Sequence, residues 1–310
     1  MGRNWRNKKE LMAKRIVIIP NFGESHLIKC QIPNLVDTLN PDIVIYNEGL
    51  FPTGPESRLV VTDEFKAKYC YENTNLAWDT LETQRLIEEA KIAYPNIKWI
   101  HNEMKFEEGM KASAAYTYAV SNFEELGVDV NVGDFIFPYE PDIFHLESDN
   151  NNITYLLNQL EPNEGFTSIW LDFLETQHYI ESCNNPFEGR PNGRKLAICF
   201  GDMEYYKHVV SQFESMNYSM LGQSNLITYH YNWFRFDKNK QLRFEQIVRG
   251  EENYWQEFEE GLVAMRNNSK MNNHPNHIVL RPRRTNITKF ASYIDIPQPN
   301  AIKEHPNYVK

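Results

Sequence analysis

Residues 16–46 set two unbroken β-branched runs on either side of a segment with helical periodicity, and few folds accept that arrangement. Ile16-Val17-Ile18-Ile19 has no polar residue to turn toward water. Both of its faces must therefore be covered, as happens to a strand inside a parallel sheet. Pro20 bounds the run, "PNFGESH" follows as a loop, and Ser25 is a candidate helix N-cap. Over residues 26–39 the apolar positions Leu27, Ile28, Ile32, Leu35, Val36 and Leu39 recur at helical spacing, with Pro33 expected to kink the helix. Pro41-Asp42 then opens a second strand, Ile43-Val44-Ile45-Tyr46, which ends at Asn47-Glu48-Gly49. Strand, helix and strand within so short a span make a βαβ unit.

The alternation continues. Residues 50–75 read as an inserted loop, 76–94 as a helix and 97–103 as a strand. Residues 109–126 form an amphipathic helix on Met110, Ala114, Tyr118 and Phe123, closed by Gly127. Phe135-Ile136-Phe137 is the next strand. The first 150 or so residues thus follow the pattern of doubly wound α/β folds. Beyond them it loosens. Strands are expected at 166–174 and 195–200, a strand or a strand-to-loop run at 225–236, and a helix at 251–266 with Trp255, Phe258 and Leu262 on one side.

Composition narrows the classes. The chain has 310 residues, 41% of them hydrophobic and 13% aromatic, which is a globular composition able to bury a large core. Its formal charge of −10 argues against non-specific nucleic-acid binding, which sets cations against phosphates. "RPRR" at 281–284 and the N-terminal stretch are local basic exceptions, and the latter reads as a solvated tail. Cys30, Cys70, Cys183 and Cys199 are scattered without a CxxC pair, so reduced thiols and a cytoplasmic location are expected. No apolar run approaches the ~20 residues that span a bilayer.

Ligands of open α/β sheets bind at the carboxyl ends of the strands. Three polar groups are expected there: Pro20-Asn21, Asn47-Glu48, and Glu140-Pro141-Asp142 after the fourth strand. Two carboxylates held either side of a proline suit a hard divalent cation, which can neutralise a diphosphate. A solvated acidic turn is the competing reading of the same residues.

Several stretches together resemble the GT-A glycosyltransferases, family-2-like enzymes in particular. "IVIIPNFGES" is similar to the family's opening strand and Pro-x-x-Glu-like loop. "GVDVNVGDFIFPYEPDIF" is similar to its "gDwilplDaDEF" run through Gly133, Asp134, Pro138, Asp142 and Phe144. Glu140 replaces the first Asp of the DxD motif, and Ile143 replaces a frequent Glu. Downstream, "TYHYNWFRF" and "EENYWQEFEEGL" resemble the family's late His-containing run and Tyr-Trp helix, and "KEHPNYVK" its His-Pro ending.

The resemblance implies a GT-A-like, Rossmann-related mixed sheet flanked by helices, with a mainly helical C-terminal extension. Residues 1–224 would form the nucleotide-sugar-binding and catalytic core, and 225–310 would complete the donor and acceptor site. The implied activity is a metal-dependent, hexosyltransferase-type transfer from a nucleotide-sugar, a UDP-sugar first, with Mn²⁺ or Mg²⁺. The acceptor stays open between a glycan and a modified nucleic acid. A non-catalytic binding or structural protein and a nucleotidyltransferase are the alternatives.

Carried over by position, Pro20, Asn21 and Glu48 line the nucleotide pocket, Glu140, Asp142 and His230 hold the metal, and Arg235 faces the phosphates. Asp202 and Glu204, in "FGDMEYY" after a strand, are candidates for the catalytic base. The residues alone leave His230 open between a ligand and a core histidine flanked by Tyr229 and Tyr231. They leave Arg235 open to being a surface cation, and Asp202 and Glu204 to being an ordinary solvated turn.

Overall fold

The computed structural model describes residues 13–21, 24–50, 76–105, 112–174, 176–183, 194–211, 222–231, 267–268, 271, 277–280, 289–306 and 308–309. The first half runs β1 (Arg15–Asn21), α1 (Ser25–Leu39), β2 (Ile43–Leu50), α2 (Leu76–Ala93), β3 (Lys98–Lys105), α3 (Ala112–Ser121), β4 (Phe135–Pro138), β5 (Ile143–Phe144) and α4 (Asn150–Leu157). Then follow β6 (Gly165–Asp172), β7 (Tyr179–Cys183), β8 (Arg194–Cys199), α5 (Met203–Ser211), β9 (Gly222–His230), β10 (His277–Leu280) and β11 (Lys289–Tyr293). A 3₁₀ turn spans Ala301–Glu304.

Eight strands form one mixed sheet in the order β3-β2-β1-β4-β8-β6-β9-β5. The expected α/β class, a mixed sheet flanked by helices, is the one observed. β1 lies inside it, paired in parallel with β2 on one side and β4 on the other. Its side chains alternate between two apolar layers, as a strand covered on both faces requires. Val17 and Ile19 pack with Ile28, Ile32 and Leu35 of α1 and with Leu86 and Ile87 of α2. Ile16 and Ile18 pack with Tyr116, Ala119 and Val120 of α3 and Tyr206 of α5.

Strand direction decides which residues can meet. β1, β2, β3 and β4 are mutually parallel. β8 runs against both β4 and β6, so β6 points the same way as β4. β9 is parallel to β6, and β5 runs against β9. Six strands therefore deliver their carboxyl ends to one edge: Asn21, Glu48, the end of β3, the turn after Pro138, Asp172 and His230. Only β5 and β8 run the other way.

Pro33 sits inside α1 without ending it, and the helix stops at Asn40. Asn40 adopts a left-handed conformation with φ 46° and donates its N–H to the carbonyls of Leu35 and Val36. Gly127 takes φ +64° where the expected amphipathic helix has already given way to turns, and Val128 N–H closes back on the Phe123 carbonyl at 2.7 Å.

Of the C-terminal segment the structure describes the rest of β9, the helical residues 267–268, Met271, β10, β11 and the 3₁₀ turn with the residues around it; the helix expected at 251–266 lies outside the described residues. β11 joins β10 to β7 in a separate antiparallel sheet. Residue 224 falls within β9, so the two expected segments share the main sheet. Ile302 of the 3₁₀ turn packs with Leu27 and Cys30 of α1 and with Phe144, Phe173, Tyr229 and Tyr231.

Cys30 and Cys199 are buried free thiols. Cys70 and the side chain of Cys183 lie outside the described residues. Among the described residues no helix is long and apolar enough to cross a membrane.

Candidate metal centre

The acidic turn is built from three sides. β4 ends at Pro138, and Tyr139 N–H extends the pairing to the Ile18 carbonyl at 2.9 Å. Ile143 N–H then bonds the Glu140 carbonyl at 3.2 Å, which folds the chain back into β5. Gln31 and Asn34, one turn apart on the buried side of α1, grip this loop. The Gln31 amide donates to the Glu140 carbonyl, and its oxygen accepts from Tyr46 Oη at 3.1 Å. Asn34 receives the His145 N–H at 3.0 Å and donates to the His145 carbonyl at 2.8 Å. Glu140 and Asp142 are thus held by a helix some 110 residues earlier in the chain.

His230 reaches them because β9 is the partner of β5, with Ile143 opposite His230 and Phe144 opposite Tyr229. Tyr231 N–H bonds the Asp142 carbonyl at 2.8 Å, which fixes the register at the site. His230 Nε2 lies 3.2 Å from Asp142 Oδ2 and 3.5 Å from Glu140 Oε2. One donor atom from each of the three residues lies within 4.8 Å of the others. The imidazole is buried, the Asp142 side chain is 8% exposed and that of Glu140 19%. Nδ1 of the ring meets Asp172 Oδ1, and the Trp170 ring lies 4.7 Å away, centroid to centroid.

Three carboxylates around one buried ring need a positive charge among them. Burial alone would push the His230 ring toward neutrality. Asp142, with Asp172 and Glu140, outweighs that and holds its pKa well above the ordinary imidazole value. A divalent cation answers the same need. Two hard carboxylate oxygens and an imidazole nitrogen at this spacing suit Mn²⁺, Mg²⁺ or Zn²⁺, whose bonds of about 2.0–2.2 Å put neighbouring ligands at such separations.

A second polar group lies on the same edge. Asn21 and Glu48 are opposite one another in the β1–β2 register, and the Asn21 amide donates to Glu48 Oε2. It also reaches Thr83 Oγ1 of α2 at 3.3 Å. His101 Nε2 is 3.8 Å from Glu48 Oε2. On the other face of the sheet, Asn102 donates to Asn47 Oδ1 at 3.0 Å. Pro20 pairs with Asn47 in register and ends the run of buried apolar positions.

Asp202 and Glu204 are not at this edge. They follow β8, which is antiparallel to β4, with Cys199 opposite Phe135 at the start of β4. The structure thus places them away from the edge that gathers the other expected site residues. Asp202 caps α5 instead, accepting from Tyr205 N–H at 2.7 Å and from the Asn163 amide at 2.9 Å. These bonds, the Tyr205 N–H first, hold its carboxyl below the usual range. Glu204 lies in the first turn of α5. Arg235 lies outside the described residues.

Sequence reading missed Asp172, Trp170, Thr83, His101, Gln31 and Asn34. Asp172 carried a usable signal, a carboxylate ending an apolar strand. Reading that strand through to residue 174 hid it in the middle. Asp134 proves structural, accepting the backbone N–H groups of Lys14 and Asn131, each at 2.8 Å.

No family model matches the sequence, and no curated protein matches it significantly. Among solved structures, it is loosely similar to glucosyl-3-phosphoglycerate synthase from Mycobacterium tuberculosis, in complex with Mn²⁺, UDP and glucosyl-3-phosphoglycerate. The identity there is 12% and the TM-score 0.36, over 79% of this chain and 81% of that one. A UTP-bound UGPase from Acinetobacter baumannii gives 11% identity and a TM-score of 0.32, over 71% and 86%. A mycobacterial protein gives 11% and 0.33, over 98% and 91%. Likeness at this level assigns no activity to the chain.

Proposed function

We propose that this chain is a metal-dependent glycosyltransferase that moves a hexosyl group from a nucleotide-sugar, a UDP-sugar first, to an acceptor hydroxyl. The observation that carries the reading is the convergence of Glu140, Asp142 and His230 on the edge that also gathers Asn21 and Glu48. One half of that edge can hold a cation and the other presents buried amide and carboxylate groups to a nucleoside. Bound Mn²⁺ or Mg²⁺ would neutralise the charge that builds on a departing diphosphate. Glu140 and Asp142 supply the anionic donors, and His230 adds a nitrogen that limits how far the ion can shift. The grip of Gln31 and Asn34 on the turn keeps the carboxylates in place before any ligand arrives, so little order has to be created on binding.

A panel of nucleotide-sugars, with and without Mn²⁺, tests the proposal by thermal shift and by release of nucleoside diphosphate. Specific binding raises apparent stability by mass action. The expected result is a Mn²⁺-dependent shift with one donor class, followed by diphosphate release when acceptor is supplied. Turnover of a nucleoside triphosphate with sugar phosphate, releasing pyrophosphate, would replace this reading with a nucleotidyltransferase. Binding without turnover of any donor would replace it with a non-catalytic nucleotide-sugar-binding protein.

A further inference from the structure

The residue that decides which way the His230 ring faces stands outside the three-residue cluster. An imidazole has two nitrogens, and a ring free to turn can offer either one. Here Nδ1 meets Asp172 Oδ1, while Nε2 is the atom nearest Asp142 and Glu140. An ionised carboxylate has no hydrogen to give, so the hydrogen of that contact belongs to Nδ1. The lone pair of the neutral ring is then on Nε2, on the side of the two acidic residues.

The backbone makes this contact reproducible. Asp172 and His230 are paired residues of the parallel strands β6 and β9, so their side chains stand side by side on one face. Phe173 N–H bonds the His230 carbonyl at 2.8 Å, just past the pair. Trp170, two residues before Asp172 on the same face of β6, backs the imidazole. The Asp172 side chain is 41% exposed.

We propose that Asp172 is the positioning residue of the centre: it holds the Nδ1 hydrogen of His230 and thereby presents Nε2 to the cation held with Glu140 and Asp142. The inference rests on the reading of those three residues as a divalent-cation site. Outer carboxylates of this kind are worth about 10–100-fold in metal affinity.

The test is a double-mutant cycle read by Mn²⁺ binding to the full chain, with free Mn²⁺ followed by its electron paramagnetic resonance. Asp172→Ala and Asp172→Asn should each weaken Mn²⁺ binding by about 10–100-fold, and Asp172→Glu should recover most of the loss. In a His230→Ala background, Asp172→Ala should change the affinity by less than about twofold, because the residue acts only through the ring. Equal losses in both backgrounds would overturn the proposal, as would unchanged affinity in Asp172→Ala. A second readout needs no metal. In protein labelled with ¹⁵N-histidine, His230 should give a downfield Nδ1–H resonance that persists in Asp172→Glu and vanishes in Asp172→Ala. If the native chain takes up no Mn²⁺, the cation reading fails, while this resonance still decides whether Asp172 holds the ring. Its persistence in Asp172→Ala would refute the assignment.

Discussion

Asn34 bonds both backbone groups of His145, its oxygen taking the N–H at 3.0 Å and its amide giving to the carbonyl at 2.8 Å. A side-chain amide here does what a neighbouring strand would do for β5, and it does so from a helix. With Gln31 on the Glu140 carbonyl, it makes α1 the mould in which the acidic turn is cast.

Asn34→Ala should therefore cost more than its volume suggests. It strands a buried donor and a buried acceptor of His145 at once, and each group so left costs about 1–3 kcal/mol. Urea unfolding should show a loss in that range or above it, and Mn²⁺ binding should weaken in the protein that remains folded. A change below about 0.5 kcal/mol would mean the loop is held by other contacts.

Asp142→Ala should weaken Mn²⁺-nucleotide binding by at least about 100-fold, more than loss of an outer partner would, while the chain stays folded. Glu140 and Asp172 remain to balance His230, so its charge is not orphaned. Calorimetry with Mn²⁺ and UDP, beside a thermal melt of the variant, measures both quantities.

The raised pKa of His230 has two consequences with opposite signs. In the metal-free protein the folded ring holds its proton more tightly than the unfolded one. The stability this supplies is full below the unfolded value of ~6.5 and is lost as pH rises through the folded value. A metal needs the lone pair, so cation uptake near neutrality should expel a proton, and affinity should climb with pH until the ring is neutral. Titrating Mn²⁺ in buffers of different ionisation enthalpy should count about one proton released, and none in His230→Ala.

His145 should behave in the reverse way. Burial pushes its pKa down to about 4, although Nδ1 lies 3.1 Å from the Ile227 carbonyl. Its folded value lies below the unfolded one, so stability is intact above pH ~6.5 and declines as pH falls toward 4. The span corresponds to a loss on the order of 3 kcal/mol. Proton NMR should find the His145 ring untitrated through pH 5, with acid unfolding setting in below that.

Asp202→Ala should leave Mn²⁺ and nucleotide binding unchanged and lower the melting temperature, as loss of an N-cap does. A loss of binding in this variant would return Asp202 to the donor site and contradict the strand directions.

Much of the fold could be read in advance where one segment carried its own signal. β1 and β2 were legible because four apolar residues in a row have no exposed solution in a sheet. The acidic turn was legible because a proline and two carboxylates cannot continue a buried strand. β5 was not, since two residues have no period and Ile143 and Phe144 become a strand only through β9. α4 hid behind its asparagines; Ile153 and Leu157 are its only buried residues. Asp202 and Glu204 were misplaced for a deeper reason. Composition shows that 195–200 is a strand but not which way it points, and direction alone decides which edge receives the residues that follow.

The insertion of β9 between β6 and β5 also sets an order of assembly. Among the described residues β9 is the partner of β5 in the main sheet, so the acidic turn lacks this wall until residues 222–230 arrive. A nascent chain stopped short of that point can already pack β1 to β4 with α1 to α3. Its two carboxylates would be present, yet their third companion would not exist. On the proposed reading, cation capture would wait for the pairing of Ile143 with His230, which closes a long loop at a cost in chain entropy. Maturation of the centre reports that the sheet has been completed.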